Sequence, residues 1–313
     1  RRPKHGRPDH DKQGATILAS SPGMNLLRAA VLLSLSGVSN SFLRTAVQAP
    51  GSPRAAPQRL QATTPTVVDS DAEAFERITL ARRATKHFDR RGVPEDVLKK
   101  VLGLVLRAPS GFNIQPYECI VVTSEEGKQK LSAAMLGPNR ERVLEAGATV
   151  VFASDLNSMK NVRKLTKMLG EEGWPKGFIR KVPLYLSVFS TGHNRLFRLP
   201  LVVAKKISFA VVQRLGKGMP AVSGAETWAF KNTMLAVQEL LLAATSHGLA
   251  TCPMEGFDMR RLRKALRIPL RYSVPIVVSI GYPSEEQRDF KTLRQEVFHK
   301  EEFGTPLEGI PSL

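Results

Sequence analysis

Residues 226–248, ETWAFKNTMLAVQELLLAATSHG, run for 22 residues without glycine or proline before Gly248 stops them. At 1.5 Å per residue such a helix is about 33 Å long, and a glycine just past the last turn supplies the left-handed cap on which many helices end. The centre of the stretch is apolar nearly all round. A helix tolerates that only when it is covered on several sides, either by its own fold or by its fold and a partner subunit together. Whatever else this chain forms must pack around that segment.

The flanking sequence supplies the pieces. Asp69 to Arg83 predicts a helix, with Ser70 or Asp71 as its cap and Phe75, Ile78 and Leu80 as its apolar contacts. VPEDVLKKVLGLVLRA (93–108) predicts a second, with Pro94 in the first turn and Val97, Val101, Leu102, Val105 and Leu106 at helical spacing. YECIVVTS (117–124), ATVVFAS (148–154) and VPIVVSIGY (274–282) are β-branched and aromatic runs that predict strands, and 258–267 predicts a short helix. Between 156 and 222, Pro183, Pro200 and Pro220 punctuate short apolar runs, which suits an inserted helical excursion over an active site. With 313 residues and 42% hydrophobic content, the economical organisation is one folded domain over 69–313 behind an N-terminal segment, 1–68.

That N-terminal segment has its own character. From Met24, the first methionine and a candidate start, to Val68 there is no Asp or Glu, while Arg28, Arg44, Arg54 and Arg59 are scattered among Ser, Thr, Ala and Pro. Such a composition suits an organelle transit peptide, and AAVLLSLSGV (29–38) has the length of a signal-peptide apolar region. Delivery to a plastid is the first expectation, with mitochondrion and cytoplasm as alternatives. No stretch has the ~20 apolar residues of a spanning helix, so no stable membrane insertion is expected. The formal charge is +18; residues 1–60 hold nine Lys or Arg against Asp9 and Asp11, leaving +11 spread over the remainder. No RNA- or DNA-reading motif accompanies the charge, so no nucleic-acid partner is expected. Cys119 and Cys252 lie far apart, and neither they nor the histidines show metal-ligand spacing.

Four stretches carry candidate chemistry. ARRATKHFD (81–89) gathers Arg82, Arg83 and Lys86 around Ala84, and a phosphate needs such charge and donors. RAPSGFNIQPYE (107–118) sets the short polar side chains of Ser110, Asn113 and Gln115 on a loop opened by Pro109. GLATCPMEGFD (248–258) contains the turn Pro253, Met254, Glu255, Gly256. The terminal strand is followed by Gly-Tyr-Pro and then by Lys291 and Arg294. Taken singly, each also reads as something ordinary: a solvated basic face, a capped turn before a strand, a surface turn.

In order and spacing the four together resemble the flavin site of the nitroreductase family, over about residues 75–300 with 156–222 excepted. The resemblance implies an α+β fold, a three-layer α/β/α sandwich whose central mixed sheet is flanked by helices. It also implies FMN as cofactor and NADPH or NADH as co-substrate. It assigns Arg82, Arg83, the backbone at Ala84 and Lys86 to the FMN phosphate. Pro109, Ser110, Asn113 and Gln115 serve the cofactor held mainly by the other subunit, which implies a homodimer. Pro253, Met254, Glu255 and Gly256 would present a backbone amide to the flavin's reactive nitrogen, with Gly256 permitting close approach. Lys291 or Arg294 would add a further contact. Ala84 and Gly111 stand where relatives often carry serine, and each removes a hydroxyl.

The implied activity is ping-pong hydride transfer from NAD(P)H through FMN to a nitroaromatic, quinone or related small acceptor. No catalytic side chain is assigned, because the cofactor performs the redox step. Alternatives on the same frame are reductive dehalogenation, flavin breakdown, and a basic binding protein that has lost its flavin.

Overall fold

The computed structural model of the protein describes residues 70–189, 198–216 and 223–284, with 297–299, 301–303, 305 and 309. The segment 1–68 and the candidate contacts Lys291 and Arg294 lie outside the described residues.

The elements follow the chain as α1 (Asp71–Ala81), α2 (Glu95–Val105), β1 (Tyr117–Val122), α3 (Glu125–Ser132), α4 (Asn139–Glu145), β2 (Ala148–Asp155), α5 (Val162–Glu171), α6 (Lys176–Phe189), α7 (Arg198–Arg214), α8 (Ala225–Ser246), β3 (Ala250–Met254), α9 (Met259–Leu266) and β4 (Tyr272–Gly281). Ser70 caps α1 in a reciprocal box with Glu73, its hydroxyl accepting from the Glu73 amide at 3.2 Å and its own amide donating to the Glu73 carboxylate at 2.7 Å. α8 ends as its sequence requires. Gly248 takes φ +71°, its amide donates to Thr245 and that of Leu249 to Ala244, the paired bonds of a Schellman cap.

The strands pair in the order β1-β2-β4-β3, antiparallel at every junction. The expected mixed character reduces to one parallel bridge outside the named strands, between Ala84 and Thr251. β2 is buried along its whole length because helices cover both faces. On one side α2 and α8 pack Val101, Val105, Val237 and Leu240 onto Val150, Phe152, Val278 and Ile280. On the other, α3, α4 and α9 bring Leu131, Val143 and Leu262 against Val151, Cys252, Met254 and Val277. These are the three layers of an α/β/α sandwich. A one-residue slip, Phe152 opposite Ile276 but Ser154 opposite Ser273, bulges β4 and puts Val274 and Val277 on the same side despite their odd spacing.

The described residues of the excursion are largely helical, and its prolines do not divide it as its sequence suggests. Pro183 lies inside α6, and Pro200 falls in the first turn of α7, where a missing amide costs nothing. Leu165, Leu169, Val182 and Leu186 of α5 and α6 cluster with Ile114 and Trp228. The excursion is therefore seated on the 107–118 loop and the start of α8. No helix among the described residues is long and apolar enough to cross a membrane.

Candidate active site

The first and third candidate stretches are joined through the edge of the sheet. The amide of Thr85 donates to the Thr251 carbonyl at 2.8 Å, and Ala84 bridges the same residue, so 82–86 runs beside β3 as a fifth, irregular strand. The hydroxyl missing at Ala84 therefore leaves the anchoring intact, since backbone makes it. Arg82 and Arg83 are half-buried, and Lys86 is exposed. Burial raises the Cys252 thiol, and the charges of Lys86 and Arg142 act against that rise. Cys252 is wholly buried and packs in the core, as its sequence context suggests. Beside it, the buried hydroxyl oxygen of Thr251 has no hydrogen-bond partner.

From β3 the chain enters the 253–258 turn, which the 133–139 segment clamps. The Gly256 carbonyl accepts from the Leu136 amide at 3.0 Å and from Asn139 Nδ2 at 3.1 Å, and the Asp258 amide donates to Ala134 at 2.8 Å. A Cβ on Gly256 would stand 2.7 Å from Asn139 Nδ2. The absent side chain thus makes room for Asn139, a use that the resemblance did not suggest. Asn139 in turn accepts from Arg142 Nη1 at 2.5 Å. Asp258 caps α9, its carboxylate accepting from the amides of Arg260 and Arg261 at 2.9 Å each, and its pKa is lowered by the Arg261 amide first.

The second stretch stands elsewhere. Its Gly111 amide donates to Asn232 Oδ1 at 2.6 Å, and Asn232 Nδ2 donates to the Trp228 carbonyl at 2.8 Å. Within the loop the Gln115 amide reaches Ser110 Oγ at 2.9 Å and Gln115 Nε2 reaches Asn113 Oδ1 at 3.3 Å. Phe112, Asn113 and Gln115 hold φ of +58°, +55° and +47°, left-handed conformations that non-glycine residues adopt at a cost. Gly111 has a local reason to be small, because a Cβ there would press on the Trp228 ring at 3.2 Å. Pro109, Asn113 and Gln115 are exposed and Ser110 is half-buried.

α8 separates the two parts. An open cavity of about 390 Å³ is lined by Met234, Val237, Gln238, Leu241, Pro253, Glu255 and Ile276. The loop instead hangs from Trp228 and Asn232, which precede the cavity-lining Met234, Val237, Gln238 and Leu241 on the same helix, Asn232 by two residues from Met234 and so about 3 Å along it. A single chain brings Arg82–Lys86 together with Pro253–Gly256 through β3, and Ser110–Gln115 is joined to the start of α8 instead. Around α8, on which α1 and α2 pack, Phe75, Leu80, Leu104, Leu106, Met234 and Leu235 keep 39% to 69% of their surface in solvent.

Three residues of this neighbourhood were not legible as site residues. Asn139 and Arg142 lie on a short polar helix with nothing to mark them. Asn232 had a signal, being a carboxamide inside the apolar helix 226–248, where a buried polar group must be serving something.

Fold and site together define a three-layer α+β protein with a cationic strand and a clamped turn beside an apolar cavity. The chain matches the model of the Nitroreductase family over residues 79–282, and it belongs to that family. It is 28% identical over 229 residues to a Thermus thermophilus protein named NADH dehydrogenase, covering 72% of this chain and 92% of the relative. It is 26% identical over 202 residues to YodC of Bacillus subtilis, named as an NAD(P)H nitroreductase, covering 64% and 85%. Among solved structures, a nitroreductase family protein of Streptococcus pneumoniae superposes with a TM-score of 0.53 at 23% identity, covering 72% of this chain and 99% of that one. A nitroreductase-named protein of Exiguobacterium sibiricum, solved in complex with FMN, gives 0.53 at 21% identity, covering 74% and 95%. The structural likenesses speak for the fold, and it is the nitroreductase fold that the sequence implied.

Proposed function

We propose that this protein is an FMN-dependent oxidoreductase that takes hydride from NADH or NADPH and passes electrons to a quinone, nitroaromatic or related small acceptor. The observation that carries this reading is the zippering of Arg82–Lys86 onto β3, directly upstream of the clamped 253–258 turn and the cavity above it. The donor set fits a phosphorylated ring. Arg82, Lys86 and Arg142 bring positive charge, Thr251 offers an unused buried hydroxyl, and Val237, Leu241, Pro253 and Ile276 give an apolar bed. FMN, when bound there, supplies the two-electron redox centre, and the protein's share is to hold, orient and charge-balance it. The names of the Thermus and Bacillus relatives support a nicotinamide nucleotide as reductant.

The working unit in this reading is a homodimer. Ser110, Asn113 and Gln115, set apart from their own chain's cationic strand, serve the site of the second subunit, and the exposed aliphatics around α8 form the contact. Residues 1–68 serve as an organelle address, for a plastid first; fusion of this segment to a fluorescent protein tests that.

Purified full-length chain should be yellow, dimeric by sedimentation, and bleached anaerobically by NADH or NADPH, with colour restored by a quinone. A colourless protein that takes up no added FMN would leave a family fold without the redox function. A bound flavin that neither nucleotide bleaches would remove the hydride step.

A further inference from the structure

Beyond residues 1–60 the positive charge is not spread, despite its total. Residues 61–155 balance thirteen bases against thirteen acids, and 223–313 balance eleven against eleven. The remaining +11 therefore falls wholly on 156–222, where thirteen Lys or Arg meet only Glu171 and Glu172. The body of the enzyme is neutral and its excursion is a cation. Every Lys or Arg of this excursion whose side chain is described is exposed, from Lys160 before α5 and Arg163 within it to Lys206 and Arg214 of α7.

The same excursion carries an apolar stripe that is exposed in the single chain. In α7 Phe209 and Val212 turn inward and are buried. Val203, Ile207, Val211 and Leu215 recur every fourth residue and are 46%, 60%, 54% and 71% exposed. Four-residue spacing keeps them on one slowly drifting face, away from Phe209 and Val212. The helix, Arg198–Arg214, contains no acidic residue.

Charge complementarity narrows the occupant. A second copy would bring another +11 against the first. Nucleic acid would satisfy the charge but has no use for branched aliphatics, and no aromatic side chain lies on the stripe to stack on bases. A groove that wraps a basic helix is blocked, because one side of α7 is already docked through Phe209 and Val212. A broad anionic plane with an apolar interior meets both demands at once. We propose that this excursion adsorbs the protein onto an anionic lipid bilayer, with the Val203–Leu215 stripe entering the headgroup boundary and the surrounding Lys and Arg meeting lipid phosphates. This does not depend on the redox reading.

The test is co-sedimentation of the full-length protein with vesicles of phosphatidylcholine alone and of phosphatidylcholine mixed with phosphatidylserine. Binding is expected to the mixed vesicles, to weaken as salt rises, and to be nearly absent on the neutral ones. Ile207→Ser with Val211→Ser, both at exposed positions, should lower the partition coefficient on the order of tenfold or more while circular dichroism stays unchanged. The N-terminal bases are present in both proteins, so the difference reports α7. The proposal is overturned if the protein stays in the supernatant with anionic vesicles, or if the serine variant binds them as well as the parent. It is equally overturned if the stripe proves to bury itself in a lipid-free oligomer that the variant abolishes, or if duplex DNA competes for a surface indifferent to the two substitutions.

Discussion

The two parts of the candidate site are held in different ways. The 82–86 strand and the 253–258 turn are fixed by backbone: Thr85 to Thr251, Leu136 to Gly256, Asp258 to Ala134. The 110–115 loop makes short-range backbone turns of its own but is tied to α8 by a side chain, Asn232, and keeps three non-glycine residues at positive φ. Backbone anchoring is indifferent to residue type, which is why alanine at position 84 is harmless to the geometry. Side-chain anchoring is not, so the loop should fail at single substitutions where the strand does not.

The sharpest break of that comparison is removal of the cations alone. Arg82→Ala with Lys86→Ala deletes two charge-assisted contacts and should weaken FMN binding on the order of a hundredfold or more, read by flavin titration. The melting temperature of the flavin-free protein should hardly move, because the ladder to β3 survives; a large drop would show that the side chains hold the strand after all. Next in size is Asn232→Ala, which strips the acceptor from the Gly111 amide next to a buried helix. It should cost about 1–3 kcal/mol of stability, a fall of roughly 3–10 °C in melting temperature for a domain this size. FMN should bind about tenfold more weakly as the strained loop relaxes. An Asn232→Ala protein that melts and binds like the parent would put the loop in the backbone-held class.

How much of this could be read in the sequence follows from the range of the contacts. α8 and its glycine cap, the capping box at Ser70 and the buried strands β2 and β4 are written in local periods and short motifs. α3 and α4 were missed because each is short and polar and anchors through a single fully buried aliphatic, Leu131 or Val143, which leaves no periodicity to detect. The central junction of the sheet, β2 with β4, and the β4 bulge arise from a pairing across more than a hundred residues, which no local pattern encodes. Within the candidate site, the motifs single out segments but not how they are fastened. Gly256 was legible as a place of close approach, yet the neighbour that approaches, Asn139, lies 117 residues away. The same distance hid Arg142. The prolines misled in the other direction, since propensity alone cannot tell that the excursion helix would continue through Pro183.

A smaller effect sharpens the account of the clamped turn. Gly256→Ala and Asn139→Ala should each cost about 1 kcal/mol, one by displacing the Asn139 amide and the other by deleting it. If both act on that one hydrogen bond, the double variant should be no less stable than the worse single one in urea denaturation. Additive losses would mean that the two residues serve separate ends.

The smallest expected effect concerns the end of the same turn. Asp258 is half-exposed, and its pKa is lowered first by the Arg261 amide, against an opposing desolvation, with the Arg260 amide and the charges of the two arginines adding to the lowering. A carboxylate more acidic in the folded state than in the unfolded one stabilises the fold at every pH above its unfolded value near 3.9. That stabilisation fades as pH falls through the lowered folded value, when protonation removes the acceptor and the charge at the start of α9. Asp258→Asn keeps an acceptor oxygen but not the titration. Its urea midpoint should lie slightly below that of the parent at pH 6 and converge on it as pH falls through the lowered folded value. Because the turn is otherwise backbone-held, FMN affinity near neutrality should be unchanged. A substantial loss of FMN in Asp258→Asn would show that the cap, and not the Leu136 and Ala134 bonds, sets the turn.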